Sequence, residues 1–238
     1  MWLAELKTTD FNPKKKYTFV VSLGSTEQHG PFLPLGTDTY IHDAIIEKAE
    51  KRLPKVIFLP TIPISCSEEH RGFPGSVWFT QETVNGMLCD LCDSLKDYAK
   101  HIIFLSWHGG NVVPLKDFVA SQQKKYPSTR LTYFDMEDAQ TDKKTMALLK
   151  GPIDGHAGNT EISMVLAVDS ALVQKPDLKK HPKEKYSFDW NTPYVIDSCP
   201  TGISDPHPTW VISKQIGKQC IDFHVDLVVR EIKKIASK

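Results

Sequence analysis

Two kinds of apolar run alternate along the chain. Tyr17–Leu23 (YTFVVSL), Lys55–Leu59 (KVIFL), His101–Ser106 (HIIFLS) and Leu131–Phe134 are short and nearly continuously apolar. Runs of that length predict strands buried on both faces, as in a parallel sheet. Between them, apolar residues recur at helical spacing. Ile41, Ala44, Ile45 and Ala49 predict a helix over 39–52, with Asp38 as its N-cap. Val84, Met87, Leu88, Leu91, Leu95 and Tyr98 mark a second helix, and a third covers about 114–125. After a polar connection, Ile162, Val165, Leu166 and Val168 predict a helix over 156–169. Ile216, Cys220, Phe223, Leu227 and Ile232 predict a long amphipathic terminal helix. Residues 60–80 read as a loop. Residues 170–208, rich in Pro and Lys, read as a lid, an oligomer contact or an irregular strand pair.

Strands alternating with helices predict an α/β fold, a mostly parallel sheet with helices on both faces. The length suits one such domain over residues 1–238. Sheets of this kind bind ligands beyond the carboxyl ends of their strands. The polar clusters fall there. Glu27, His29 and Asp38 lie in GSTEQHGPFLPLGTD (residues 24–38), after the first strand. His108 lies in WHGGN, after the third, and the stretch DGHAGNTE adds His156 and Glu161 at a loop-to-helix junction.

Each of these residues has a plainer role when taken alone, as a cap, a loop hydrogen-bonder or a solvated acid. Together they are metal ligands in type. Residues i and i+2 of an extended segment point the same way, so Glu27 and His29 can face one point. If Glu27, His29, Asp38, His108 and Glu161 converge, three carboxylates and two imidazoles meet. Without cations the carboxylates repel, and some take up protons. One divalent ion leaves a charge of −1 on three carboxylates, and two ions leave +1, which a hydroxide cancels. The charge balance favours two divalent ions, with Asp38 as the bridging carboxylate. Oxygen and nitrogen ligands without thiolate suit Zn, Mn or Fe. Two such ions about 3.5–4 Å apart generate hydroxide near neutral pH and polarise a carbonyl, so attack on an amide carbon follows. His70 and His207 lie in loops that could line the pocket. His42, His101, His181 and His224 read as structural or exposed.

Composition narrows the choice. Lys+Arg and Asp+Glu both number 29, so the formal net charge is zero and no global field draws in nucleic acid or an acidic membrane. No apolar run reaches membrane-spanning length, and MWLAELKTTDF lacks a signal-peptide layout, so a cytoplasmic protein is expected. Five scattered cysteines suit reduced thiols, and Cys89 and Cys92, a C-x-x-C inside a helical pattern, read as packing residues. No G-x-S-x-G follows a strand, and no phosphate-binding glycine loop is present, which removes the serine-hydrolase and nucleotide-fold readings.

Residues 24–38, H-G-G-N at 108–111 and H-A-G-N-T-E-I-S at 156–163 resemble the three signature segments of the creatininase (creatinine amidohydrolase) family. The stretches EHRGFPGS (69–76) and TGISDPHPT (201–209) also resemble family segments, and the likeness covers about residues 17–235. The resemblance implies a three-layer α/β/α sandwich and a metal-dependent amidohydrolase acting on a non-peptide C–N bond, such as a cyclic amide or a formamide. It implies metal-ligand roles for Glu27, His29, Asp38, His108 and Glu161, with Asp38 bridging. His156 takes the place of the family's catalytic histidine, and Glu161 joins it in the catalytic pair. It also implies a small-molecule amide substrate and a homo-oligomer, often a hexamer.

Departures bear on the substrate. Creatininase proper has a Tyr-Glu pair where Gly109 and Gly110 stand, so Glu161 must supply the missing ligand. Many relatives have Glu at the position of Asn159 and Thr at that of Ser163, and Phe32 replaces a common histidine. The glycine form also occurs in relatives that deformylate a formamidopyrimidine nucleotide in flavin and deazaflavin synthesis, and in a peptide-trimming relative. The deformylase reading calls for a phosphate pocket, with Arg71 and loop lysines as candidates. A catalytically inactive metal-binding homologue is the third reading. Trp107, Trp190 and Trp210 are candidates for stacking on a planar substrate.

Overall fold

The computed structural model describes residues 1–136, 138–174, 188–189 and 192–237. Among the described residues, four strands form one parallel sheet: β1 (Tyr17–Leu23), β2 (Val56–Phe58), β3 (Ala99–Ser106) and β4 (Arg130–Tyr133). Their order is β2-β1-β3-β4, and Val20 pairs with Phe58 on one side and Ile103 on the other. The helices are α1 (Thr37–Glu50), α2 (Gln81–Leu95), α3 (Val112–Gln122), α4 (Ala139–Leu149), α5 (Asn159–Val168), α6 (Val195–Ser198) and α7 (Lys214–Ala236).

Strand alternation divides the apolar side chains between two cores. Val20, Phe58, Ile103 and Leu105 face α1, α5 and α7. Phe19, Val21, Ile57 and Phe104 face α2 and α3. This is the three-layer α/β/α sandwich. Burial of each large apolar side chain contributes about 1.5–3 kcal/mol, and Phe19, Phe58, Phe104 and Phe118 are among those removed from water. Helix α7 rests directly on α5: a Cβ on Gly217 would overlap the carbonyl of Ser163.

The chain runs from β1 outward to β2, then crosses back beyond β1 to β3. The carboxyl ends of β1 and β3 therefore flank the point where the strand order reverses, the usual seat of a ligand. Glu27 and His29 leave β1 there, and His108 leaves β3.

Several expected boundaries move. Helix α1 begins at Thr37 with Gly36 as N-cap, so Asp38 lies in the first turn instead of capping it. A carboxylate there still complements the helix dipole. The supposed polar connection after β4 contains α4. Helix α5 begins at Asn159, which leaves His156 ahead of it in an antiparallel bridge with Ser204. Of residues 170–208, the described part holds a 3-10 turn at Ser170–Leu172 and the short α6. Trp190 and His181 lie outside the described residues. Among the described residues, no helix is long and apolar enough to cross a membrane.

Candidate metal centre

All five expected ligands gather at the strand ends. Glu27, His29, Asp38 and His108 are almost fully buried, and Glu161 is mostly so. Asp38 stands in the middle. Its Oδ1 lies 3.6 Å from His29 Nε2 and its Oδ2 lies 3.6 Å from His108 Nδ1, so its two oxygens face two imidazoles as those of a bridging carboxylate would. Glu161 Oε2 is 3.8 Å from His29 Nε2, and Glu27 Oε2 is 3.2 Å from His108 Nε2.

The second nitrogen of each imidazole settles its orientation. His29 Nδ1 donates to the Glu27 carbonyl at 3.1 Å, which turns Nε2 toward Asp38 and Glu161. His108 Nε2 donates to the Cys66 carbonyl at 2.7 Å, which turns Nδ1 toward Asp38. Backbone carbonyls commonly orient metal-bound histidines in this way. Ser25 Oγ donates to Glu27 Oε2 at 2.6 Å, the Ala157 N–H to Glu161 Oε2 at 2.6 Å and Trp107 Nε1 to Glu161 Oε1 at 3.3 Å.

The field of the site favours cations. Burial opposes charge on His29, yet Asp38 and then Glu161 raise its pKa to about 10. Burial also opposes charge on His108, and Glu27 outweighs it, holding the imidazole well above its ordinary value. Glu27 is pushed up by burial but pulled well below the usual carboxylate range by His108 and His70. Burial lifts Glu161 to about 7, against the pull of His29. Glu27 Oε1, His29 Nε2 and Asp38 Oδ2 are buried without an aligned hydrogen bond. Buried polar atoms are ordinarily satisfied. Unsatisfied oxygens and a nitrogen, converging where positive charge is stabilised, fit divalent ions. Glu27, His29 and His156 form one group with ligand atoms mutually within 4.8 Å; Glu27, Glu69 and His108 form another, and His29, Asp38 and Glu161 a third.

Three imidazoles stack along one side of Glu27. His156 lies 4.2 Å from His29 and 4.7 Å from His70, centroid to centroid. His156 Nε2 is 2.8 Å from the Gln28 carbonyl, which can only accept, so Nε2 carries the proton and Nδ1 holds a lone pair. Nδ1 is 3.9 Å from Glu27 Oε1. Burial, His29 and His70 together depress the His156 pKa well below 6.5, so the ring is a neutral base.

Two cavities meet at this cluster. An inner one of about 140 Å³ reaches from Asp38 and Glu161 past Trp107 to Asp142, Thr145 and His224. An outer cleft of about 580 Å³ opens over Glu27, Glu69, His70 and His156, with Val113 and Phe188 among its walls. Val113 is 63% exposed, so the outer rim is apolar.

Other expectations fare unevenly. His70 is a central member of the site, 3.0 Å from Glu27 Oε1, as well as a wall of the cleft. His207 is structural: its ring nitrogens sit at the Thr209 and Leu149 carbonyls. His42 and His101 are buried away from the cluster, and His224 lines the inner cavity with its ring edge-on to Trp107. Trp210 packs edge-on against Phe32 in the core. Arg71 is paired with Glu68 and lies over Trp78 and Tyr194. Cys92 is buried, its thiol pushed up to about 12 by burial, which suits a packing role.

The sequence pattern assigned no role to Gln28 or Glu69. Glu69 Oε1 stands 3.4 Å from His108 Nε2, in the space left by Gly110, where a Cβ would overlap both groups. The stretch EHRGFPGS at 69–76 contained the signal, but without periodicity nothing indicated which of its side chains turned inward.

The family model described as Creatininase: Creatinine amidohydrolase matches residues 4–232. A mycofactocin precursor peptide peptidase of Mycobacterium ulcerans (strain Agy99) is 30% identical over 181 residues, covering 72% of this chain and 67% of that protein. Across the curated relatives it matches, the aligned part spans 57–67% of their length. A crystal structure of creatinine amidohydrolase (creatininase) superposes with a TM-score of 0.77 at 16% identity, over 98% of this chain and 96% of the other. A mutant creatininase described as Zn-Zn type gives 0.74 at 16% identity, over 98% and 97%. At these identities the structural likeness establishes the fold.

Proposed function

Since this chain belongs to the creatininase family, we propose that it is a two-ion amidohydrolase that cuts an amide C–N bond, with His156 as its proton carrier. The observation that carries the reading is the buried convergence of Glu27, His29, Asp38, His108 and Glu161 beside a neutral His156 whose Nδ1 is bare. These five residues would hold Zn, Mn or Fe, with Asp38 between the two positions. When bound, such ions lower the pKa of water and polarise a carbonyl oxygen.

The chain's own groups do the rest. His156 Nδ1 takes up a proton during attack and returns it to the departing nitrogen, a contribution of about 10²–10⁴-fold. Trp107 and the Ala157 N–H fix Glu161. Val113 and Phe188 give the cleft apolar walls against which a substrate is desolvated. The inner cavity has room for a small group only, which supports a compact substrate such as a cyclic amide or a formamide.

A peptide substrate is the second reading. It is favoured by the relatives named as peptide peptidases, which are about twice as similar in sequence as the creatininase structures, and by the wide outer cleft. The nucleotide deformylase reading lacks its expected support: Arg71 is engaged elsewhere, and no Lys or Arg lines either cavity among the described residues. The complete ligand set and the bare His156 nitrogen weigh against a catalytically inactive homologue. Metal analysis of purified protein, followed by a panel of cyclic amides, formamides and short peptides, tests the proposal. Metal-dependent release of amine from one class is expected; full turnover by metal-stripped protein would overturn it.

A further inference from the structure

The residue between the two first-motif ligands is itself buried, only 5% exposed, and it touches both of the other stacked imidazoles. Gln28 Oε1 accepts the Gly30 N–H at 2.9 Å, which identifies the other end of the amide as the NH₂. That NH₂ lies 2.9 Å from His70 Nδ1 and donates to it. An Nδ1 that accepts carries no proton, so the ring proton of His70 is on Nε2, and Nε2 stands 3.0 Å from Glu27 Oε1. The side chain of Gln28 thus places the His70 proton on the nitrogen nearer Glu27, a 3.0 Å approach of opposite polarity that is not an aligned hydrogen bond. The main chain of the same residue accepts from His156 Nε2. The amide also approaches His156 Nε2 at 3.0 Å, but a nitrogen already donating to a carbonyl has no lone pair to offer it.

The surroundings are shaped for this amide. Gly202 has a φ of +67°, and a Cβ there would overlap Gln28 Oε1. The Gln28 N–H is taken by Ser76 Oγ at 2.9 Å. His70 enters from the 3-10 turn Glu68–His70, on a loop remote in sequence from both β1 and α5.

We propose that Gln28 and His70 are positioning residues of this site: the Gln28 amide holds His70 in the Nε2–H form, and His70 in turn holds Glu27 oriented as a metal ligand. Both roles rest on Glu27 being a ligand of the proposed centre. Hydrogen-bond partners of this outer kind change metal affinity by about 10–100-fold when removed.

The test uses the full chain with Gln28→Met and His70→Asn. Histidine tautomers are read by long-range ¹⁵N–¹H NMR on metal-stripped protein, and Zn²⁺ affinity by chelator competition. Wild-type His70 is expected as the Nε2–H form. Gln28→Met should release it to a mixture of forms, and both variants should weaken one of two Zn²⁺ sites by about 10–100-fold. The thermal midpoint of the metal-stripped proteins controls for misfolding, and Gln28→Asn, which keeps a shorter amide, should recover part of the affinity. A wild-type His70 protonated at Nδ1 would overturn the proposal, as would unchanged tautomer and affinity in a folded Gln28→Met protein. If tautomer and affinity shift as expected while the wild type hydrolyses no amide, the positioning role stands and the hydrolase reading fails. Turnover by the wild type with no tautomer shift in Gln28→Met would sustain the hydrolase reading and remove the positioning role.

Discussion

His29 Nε2 and Asp38 Oδ1 lie 3.6 Å apart between two buried residues, and His29 Nε2 is left without a hydrogen bond. A gap of that size between an imidazole nitrogen and a carboxylate oxygen is close to the spacing of two ligands on one ion. Stripping the metal should therefore cost stability as well as activity. An ion at 100 times its dissociation constant adds about 2.7 kcal/mol, which at this chain length is about 5–10 °C in Tm. Calorimetry with and without chelator measures it. Asp38→Asn should lower bound metal per chain and turnover together.

His156 should separate from the ligands in its behaviour. His156→Gln is expected to lower kcat by about 10²–10⁴-fold while leaving metal content at the wild-type level. Elemental analysis alongside steady-state kinetics checks this. Loss of metal together with rate would make His156 a ligand instead.

Two adjacent glycines should respond oppositely. A Cβ on Gly109 meets nothing within 4 Å, whereas one on Gly110 overlaps Glu69 Oε1 and His108 Nε2. Gly109→Ala should keep near wild-type turnover. Gly110→Ala should lose at least about tenfold in metal affinity through displacement of His108, measured by chelator competition.

Away from the site, His42 provides a pH-dependent stability test. It is buried in α1, with both ring nitrogens lacking hydrogen bonds among the described residues, and burial pushes its pKa down to about 3. The folded value lies below the unfolded value of about 6.5, so the unfolded chain binds more protons in between. The stability contributed by neutral His42 is complete above the unfolded pKa. It is lost as pH falls toward about 3, at up to about 1.4 kcal/mol per pH unit. His42→Leu should be neutral or stabilising at pH 7 and increasingly stabilising at pH 5, as read from urea midpoints. An equal offset at both pH values would contradict the assignment.

The strands were legible because a two-sided parallel sheet demands continuous apolar runs, and YTFVVSL and HIIFLS are such runs. Helix α4 was not. Its buried stripe is Thr141, Thr145 and Leu149, properly spaced but mostly hydroxylic, so hydropathy gave no signal. The convergence of the candidate ligands was legible through the long first motif, the glycine motif after β3 and the stretch that carries Glu161. His70 was read as a pocket-lining candidate, which its place on the cleft wall bears out, but its contact with Glu27, and Gln28 and Glu69 altogether, were not legible, because those contacts arise where the 60–80 loop folds back onto β1, which no local pattern encodes.

The column formed by His29, His156 and His70 carries one more implication. Neighbouring rings 4.2 and 4.7 Å apart repel like charge, and both flanking rings already disfavour protonation of the middle one. On the proposed function, a proton taken up by His156 would be held weakly, since both neighbours disfavour charge on the middle ring.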